Sequence, residues 1–286
     1  MTAAAVLGVA VLRAVPLGGG ASRVRLTDGR TVLVKTGPPG AVAAEAAGLR
    51  WLRVPGGPPV PQVLDVEPER LVTAFVPTGS DSGSGSGSAS SAAEFGRRLA
   101  VLHAAGAPGF GAGPPGGSAR AWIGRAPMRN VPAAAAAGWA SWYASDRLLP
   151  YVRQARDAGH LGETEARTVQ LVCDRLPELA GPAEPPARLH GDLWSGNLLW
   201  SADGAWLIDP AAHGGHRETD LAMLALFGCP HRETILDGYR EVAPLADGWA
   251  ARVPLHQLFP LLVHVVLFGR GYAARTLAAA RAALAP

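Results

Sequence analysis

Two patterns of apolar and polar positions divide the chain into a short first part and a long second part. Apolar and polar residues alternate over residues 24–26 and 31–35, and an Asp-Gly pair lies between these two stretches. A period of two residues predicts β-strands, and Asp-Gly is a preferred hairpin turn. Apolar runs at residues 63–66 and 70–76 predict two more strands, whereas residues 3–14 predict a short helix or a helix that leads into a strand. The first part should therefore form a small antiparallel sheet of about five strands.

The second pattern is that of helices. Helices are predicted over residues 41–52, 92–105, 133–151, 163–179 and 254–284. The predicted fold class is α+β, with the small antiparallel sheet in an N-terminal lobe, residues 1–77, and a mainly helical C-terminal lobe, residues 78–286. Residues 79–91 are almost entirely Gly and Ser, which predicts a flexible stretch to which we assign no chemistry.

Composition limits the function classes. Of 286 residues, 48% are apolar and 17% are charged, as in an ordinary globular chain. The formal net charge is +3 and the arginines are scattered, so no nucleic-acid partner is expected. No uninterrupted apolar run reaches membrane length, and Cys173 and Cys229 fit free thiols better than a disulfide. We therefore expect a soluble cytoplasmic monomer without a membrane partner.

The stretch Leu189–Pro210 carries the strongest chemical signal. It contains Asp192, Asn197 and Asp209, and two short apolar runs between the last two are separated by a turn sequence, which predicts a tight β-hairpin. The hairpin brings Asn197 and Asp209 to one point, where an amide oxygen and a carboxylate suit Mg²⁺ held with substrate phosphates. Asp192 is left to accept a proton from an attacking hydroxyl, as in kinase-type phosphoryl transfer. The alternative interpretation is that these are turn residues and solvated acids.

A possible phosphate-binding segment lies near the start of the chain. Gly18-Gly19-Gly20-Ala21-Ser22 precedes the first predicted strand, and glycines let backbone N–H groups approach phosphate oxygens closely. Lys35 at the end of the next strand could reach the same phosphates, and Glu45 on the following helix could pair with it. The alternative is a plain hairpin linker, with a lysine and a glutamate on the surface.

The adenine-binding position is inferred from the junction between the lobes. Residues 71–77 form an apolar strand that runs into a Pro/Gly loop, which is typical of a hinge. Backbone groups of Ala74 and Val76 would then contact the adenine ring.

Three motifs together resemble a known family. They are H-G-D-L-W-S-G-N at residues 190–197, I-D-P-A at residues 208–211 and G-H-R-E-T-D-L-A-M at residues 215–223. The H-G-D core with its Asn is shared by aminoglycoside-phosphotransferase-like kinases in general. The complete set resembles the fructosamine/ketosamine 3-kinase family, and the resemblance covers nearly the whole chain.

The resemblance implies a bilobal protein-kinase-like fold, the cofactors ATP and Mg²⁺, and phosphorylation of the sugar 3-hydroxyl of ketosamines in deglycation repair. It implies a small-molecule ketosamine or a glycated amine or protein as the substrate. It supports the roles given above to Asp192, Asn197, Asp209, Lys35 and Glu45. It also suggests Trp194 as a wall for the sugar, His216 and Glu218 as further substrate contacts, and His190 and Asp220 as structural support for the catalytic loop.

Two other functions stay open on the sequence. A kinase for an aminoglycoside or another amino sugar would favour a strongly acidic cleft, and the modest acid content argues against it. A catalytically silent nucleotide-binding protein would be marked by loss of Lys35, Asp192, Asn197 or Asp209, and all four are present.

Overall fold

A computed structural model describes residues 5–78, 87–132 and 138–285. Within these residues the chain forms a six-stranded antiparallel sheet, three two-stranded sheets and a set of helices. The α+β class predicted from the sequence is therefore confirmed. In chain order, the large sheet ends at Ala74 and the next helix begins at Ala89, and the division into lobes at residues 77 and 78 stays a prediction. The greater part of the Gly/Ser stretch lies outside the described residues.

The large sheet has the strand order β1-β2-β3-β4-β6-β5. Its strands are β1 (Ala5–Val6), β2 (Val9–Gly18), β3 (Ala21–Leu26), β4 (Thr31–Thr36), β5 (Val63–Glu67) and β6 (Arg70–Ala74), with helix α1 (Ala41–Trp51) between β4 and β5. The prediction of a helix near residues 3–14 is wrong, because this stretch supplies β1 and most of β2. The β-branched valines at positions 9, 11 and 15 alternate along β2, as strand residues do. The glycines at 18–20 therefore close the β2–β3 hairpin instead of preceding the first strand.

Helices are the main elements of the described chain after β6. They are α2 (Ala89–Ala104), α3 (Gly138–Trp142), α4 (Leu149–Asp157), α5 (Glu163–Leu179), α6 (Glu218–Leu226), α7 (Arg232–Val242), α8 (Trp249–Phe268) and α9 (Ala273–Leu284). A π-helical turn, Tyr143–Leu148, joins α3 to α4, and 3₁₀ turns occupy Ser195–Asn197 and Arg270–Tyr272. Helix α2 begins three residues earlier than predicted because the Ser88 side chain accepts a hydrogen bond from the Ser91 N–H at 3.1 Å and caps the helix.

The remaining six strands are short, and they flank loops that contain the candidate catalytic residues. They are β7 (Arg120–Ile123), β8 (Ala126–Arg129), β9 (Ala187–Leu189), β10 (Leu198–Ser201), β11 (Gly204–Leu207) and β12 (His213–Gly215). The pairs are β7 with β8, β10 with β11, and β9 with β12. The hairpin predicted within Leu189–Pro210 is thus present as β10–β11.

Close helix packing depends on glycine at one crossing. A Cβ on Gly96 of α2 would lie 1.9 Å from the Ile235 carbonyl oxygen of α7, and a Cβ on Gly238 would lie 2.1 Å from the Ala93 carbonyl oxygen. Only glycine at both positions permits the backbones of α2 and α7 to approach this closely. This contact fixes α2 against α7. Helix α2 also carries His103, which contacts Asp220 below the loop of Asp192.

Helix α8 is long and apolar enough to cross a membrane by length and composition, but half of the tested window is buried within the protein. Its side chains Leu255, Leu258 and Phe259 belong to the largest hydrophobic cluster, together with Trp139, Trp142 and Tyr143 of the α3 region. The position of α8 is thus that of a core helix. Cys173 and Cys229 are both free thiols, as expected.

Candidate active site

The loop between β9 and β10 holds Asp192 in a fixed position. The Asn197 Nδ2 donates one hydrogen bond to the Asp192 carbonyl oxygen at 2.8 Å and a second to Asp192 Oδ2 at 3.0 Å. The His190 Nε2 lies 2.9 Å from the Ile208 carbonyl oxygen, which ties the loop to the end of β11. The Asp192 carboxylate therefore has one oxygen engaged and one available toward the cleft.

Burial, together with the neighbouring carboxylates of Asp209 and Asp220, raises the pKa of Asp192 to about 7, although the Asn197 hydrogen bond opposes this shift. A carboxylate that is taken out of water and surrounded by like charge gains affinity for a proton. The direction of the shift suits a group that must accept one.

The buried carboxylate of Asp220 supports this loop from behind. Its Oδ2 accepts from the His190 N–H at 2.7 Å and its Oδ1 from the Gly191 N–H at 2.9 Å. His103 of α2 reaches the same carboxylate, with its Nε2 3.2 Å from Asp220 Oδ2. Burial alone would raise the pKa of Asp220, but hydrogen bonds from His103 and Gly191 and the nearby imidazoles hold it below its usual value. The geometry fits the predicted support roles of His190 and Asp220.

We expect Asp220→Ala to lower the free energy of unfolding by about 3 kcal/mol or more, because it leaves buried donors of the loop without an acceptor. Urea denaturation would measure the change, with Asp203→Ala in the exposed β10–β11 turn as the matched control. A loss no larger than that of the control would contradict the support role.

Gly191 is needed for the backbone conformation of this loop. It has a φ of 82°, and a Cβ there would lie 2.2 Å from the Ala211 carbonyl oxygen. Both the left-handed backbone and the close approach require glycine. Steric constraints therefore explain why the H-G-D motif has glycine at its second position.

Lys35, Glu45 and Asp209 form a connected charge cluster in the same cleft. Lys35 Nζ lies 2.8 Å from Glu45 Oε2 and 3.0 Å from Asp209 Oδ1. Burial alone would lower the pKa of Lys35, but the two carboxylates raise it, so the ammonium is retained. Asp209 has a φ of 53°, in the left-handed region that Asp tolerates better than most residues. The pairing of Lys35 with Glu45 expected from the sequence is present.

These side chains line one cleft of about 860 Å³. Of the residues predicted from the sequence, Gly19, Gly20, Lys35, Glu45, Asp192, Trp194, Asn197 and Asp209 contribute to its lining. Ser22 pairs with Val34 inside the sheet, and Gly18, Ser22, Ala74 and Val76 are not among the lining residues. The Ala74 N–H donates to the Gln62 carbonyl oxygen at 2.9 Å, so this donor is already engaged within the fold. For Ala74 and Val76, contact with adenine stays a prediction.

Trp194 lies at the mouth of the cleft, with 38% of its surface exposed. Its indole folds over Gly196, where a Cβ would lie 2.2 Å from the ring. Phe227 meets it edge to face, with ring centroids 6.2 Å apart. Contact of the Trp194 indole with a sugar stays a prediction.

The structure does not bring His216 and Glu218 to the cleft. Both are buried, and Glu218 accepts two hydrogen bonds from the Arg252 guanidinium, at 2.9 and 2.6 Å. His256 Nε2 lies 3.2 Å from Glu218 Oε2, and the His216 ring packs on the His256 ring with centroids 4.8 Å apart. The substrate role assigned to His216 and Glu218 is therefore corrected to a structural one. The local motif does not reveal this burial, because α8, which covers both side chains, lies much further along the chain.

A hairpin that the sequence analysis missed also lines the cleft. Strands β7 and β8 and the segment after them contribute Trp122, Arg125 and Asn130. Trp122 packs on Gly40, where a Cβ would lie 2.9 Å from the indole. A two-residue Gly-Arg connection between short apolar runs is a hairpin signal that could have revealed these strands.

Comparison with known proteins now identifies the group to which the chain belongs. The sequence profile described as fructosamine kinase matches residues 19–285. The chain belongs to the fructosamine kinase family. Its predicted class, a phosphotransferase, is thereby confirmed, and membership of a kinase family implies the use of ATP.

Relatives of this fructosamine kinase family member include bacterial and plant proteins. A probable ketoamine kinase of Thermus thermophilus is 34% identical over 264 residues, which cover 91% of this chain and 89% of that one. The chloroplastic protein-ribulosamine 3-kinase of Arabidopsis thaliana is 31% identical over 260 residues, or 86% of this chain and 74% of that one. With a probable ketoamine kinase of Klebsiella aerogenes the alignment is shorter, 135 residues at 39% identity, and covers 46% of this chain and 44% of that one.

Solved structures agree on the fold. A structure from Thermobifida fusca, described as a candidate fructosamine-3-kinase, has a TM-score of 0.87 and 47% identity, covering 97% of this chain and 95% of that one. A macrolide 2′-phosphotransferase type I has a TM-score of 0.58 at 17% identity, covering 94% and 90%, and shows the fold alone. The protein-kinase-like fold implied by the motifs is therefore confirmed.

The donor set of this family member fits a hard divalent cation held with nucleotide phosphates. Both hydrogen bonds that the structure gives the Asn197 side chain use its Nδ2, which leaves the amide oxygen for a ligand. Asp209 engages Lys35 through Oδ1, and its side chain is 45% exposed. Two oxygen donors beside a lysine ammonium are suited to Mg²⁺ bound jointly with phosphate oxygens.

Proposed function

We propose that this protein is an ATP- and Mg²⁺-dependent cytoplasmic kinase that phosphorylates the 3-hydroxyl of a fructosamine or ribulosamine, as a step in deglycation. The observation that carries the proposal is the convergence of Asp192, Asn197, Asp209 and Lys35 on one cleft, in a member of the fructosamine kinase family. The name of the Arabidopsis relative supports a ribulosamine as one substrate.

Each side chain has one task in the proposed reaction. Lys35, held by Glu45, contacts the phosphates and neutralises their charge. Asn197 and Asp209 would hold Mg²⁺, which would supply positive charge to the transferred phosphoryl group. Asp192 accepts the proton of the sugar hydroxyl as its oxygen attacks the γ-phosphorus, and the bond from that phosphorus to the β-phosphate oxygen breaks to release ADP. The Trp194 indole offers an apolar face to the sugar and fixes its orientation.

The balance of charge in the cleft favours a ketosamine over a polycationic aminoglycoside. Two of its acids, Glu45 and Asp209, are already paired with Lys35. Arg125 adds a second positive charge to the lining. A ligand with several ammonium groups would meet few unpaired carboxylates there.

The test is ADP release by the purified protein with ATP and Mg²⁺, using fructosyl-lysine, ribulosyl-lysine and an aminoglycoside as separate acceptors. We expect turnover with the ketosamines and none with the aminoglycoside, and phosphorus NMR of the product should locate the phosphate on the 3-oxygen. Turnover confined to the aminoglycoside would overturn the proposal, as would a product phosphorylated at another position.

A further inference from the structure

A strip of aromatic side chains leads out of the cleft. Trp194 contacts Phe227, and Phe227 contacts His264 with ring centroids 4.7 Å apart. His264 in turn contacts Phe268 at 5.3 Å and Tyr272 at 4.9 Å. We call these five residues the aromatic strip. Its first member lines the cleft, and its last members lie at the end of α8 and in the 3₁₀ turn that follows.

The outer end of the strip is open to solvent. Phe268 is 59% exposed, although it is a large apolar side chain, and it is continuous through His264 and Phe227 with Trp194. Gly269, with a φ of 83°, ends α8 at this point and turns the chain so that Tyr272 packs beside Phe268, with centroids 6.1 Å apart. An exposed apolar surface that joins a binding cleft marks a place where a ligand extends out of that cleft.

The strip carries no negative charge in its own side chains. His264 lies with its Nδ1 2.7 Å from the Pro260 carbonyl oxygen, and burial lowers its pKa, which favours the neutral imidazole. The Arg275 guanidinium lies over the Phe227 ring at 5.5 Å and donates to the Leu226 carbonyl oxygen at 2.7 Å. This surface therefore offers ring faces and a positive charge, which suit apolar or aromatic groups better than ammonium groups.

The strip runs outward from Trp194, and this course indicates which part of a substrate it would contact. In a glycated lysine, the sugar that packs on Trp194 is followed by the secondary amine and four methylene groups before the peptide backbone begins. These methylene groups would pass Phe227 and His264, and the backbone with its neighbouring residues would then lie over Phe268 and Tyr272. A ketosamine on a small free amine would end before this point.

We propose that the aromatic strip is a binding site for the polypeptide chain on either side of a glycated lysine, and that it selects apolar or aromatic neighbours of that lysine. The proposal rests on the proposed ketosamine kinase function and adds a determinant of specificity outside the catalytic residues. Phe268 is its principal contact because most of its ring is exposed and would be covered by the ligand.

The test compares two synthetic peptides that carry one fructosyl-lysine each, flanked by leucine and phenylalanine in one and by serine in the other. For the wild-type protein we expect kcat/KM to be about tenfold higher for the apolar peptide, the effect typical of an aromatic contact residue. In Phe268→Ala this ratio should fall to near one, mainly through a higher KM for the apolar peptide, and Phe268→Tyr should restore most of it. Leu171→Ala, which removes an apolar side chain of 48% exposure on α5, is the matched control and should keep the wild-type ratio.

Equal kcat/KM for both peptides in the wild type would overturn the inference, and so would an unchanged ratio in Phe268→Ala. Phe268 is exposed at a helix end, so a folded variant is expected, and thermal melting would verify this. Free fructosyl-lysine as a third substrate distinguishes failure of the aromatic strip from failure of the proposed function. Turnover of free fructosyl-lysine but of neither peptide overturns the strip alone, whereas turnover of no ketosamine overturns the proposed function as well.

Discussion

Replacing Asp192 by asparagine is expected to lower kcat by about three orders of magnitude, within the range by which a positioned general base accelerates a reaction. Asparagine has nearly the shape of aspartate, and its Oδ1 can still accept the hydrogen bond that Asn197 Nδ2 gives to Asp192 Oδ2. The loop should therefore keep its conformation, while the group that accepts the proton is lost. Affinity for ATP should change little, because the contact with the phosphates is assigned to Lys35.

The measurement combines steady-state kinetics on a ketosamine with ATP binding by calorimetry. Asp203→Asn is the matched control, since it makes the same chemical change in the exposed turn of the β10–β11 hairpin. If Asp192→Asn turned over at a rate comparable to wild type, Asp192 would not be the base. A parallel loss of ATP binding would instead indicate that the substitution disturbs the whole cleft.

The centre of this site could be predicted because its geometry is local. In the β10–β11 hairpin, Leu198 pairs with Leu207 and Ser201 with Gly204, so the hairpin lies between Asn197 and Asp209 as predicted. Two short apolar runs and an Asp-Gly turn contain all the information that such a hairpin needs. The positions of Asn197 and Asp209 near one another follow directly from it.

Contacts between distant segments could not be read from the same patterns. His103 of α2 reaches Asp220, 117 residues further along the chain, and no local pattern around His103 indicates this contact. Glu218 carries no local sign that Arg252 of α8 neutralises it. In both cases burial is decided by helix packing, which the local period does not contain.

Strands with unusual residues were the other source of error. β8 contains Pro127, which cannot donate to a ladder and argues against a central strand, yet it is tolerated in a two-stranded hairpin. The sequence analysis assigned no strands to this part of the cleft lining, which includes Trp122 and Arg125. The catalytic residues of the cleft follow from the local motif, whereas the position of the β7–β8 hairpin beside them depends on tertiary packing.

Asp209→Asn is expected to remove the effect of Mg²⁺ on nucleotide binding and to lower kcat by about 10²- to 10³-fold, the cost of losing one preorganised electrostatic contact. Asparagine is the suitable replacement because it tolerates the left-handed backbone that Asp209 adopts, with a φ of 53°. Lys35 should stay in place, since its pairing with Glu45 at 2.8 Å is unaffected. What the variant lacks is the negative charge that, with the Asn197 amide oxygen, makes the cleft suitable for a hard cation.

Titration of ATP with and without Mg²⁺ by calorimetry separates this role from a merely structural one. In the wild type, Mg²⁺ should tighten ATP binding, whereas in Asp209→Asn the two affinities should be nearly equal and close to the wild-type value without Mg²⁺. Glu67→Gln at the exposed end of β5 is a control with the same loss of charge in the N-terminal sheet. A Mg²⁺ titration identical to wild type would exclude Asp209 as a ligand. The contact between Lys35 and ATP requires no cation. A variant that binds no ATP under either condition would therefore show that Asp209 is needed to hold Lys35 in position.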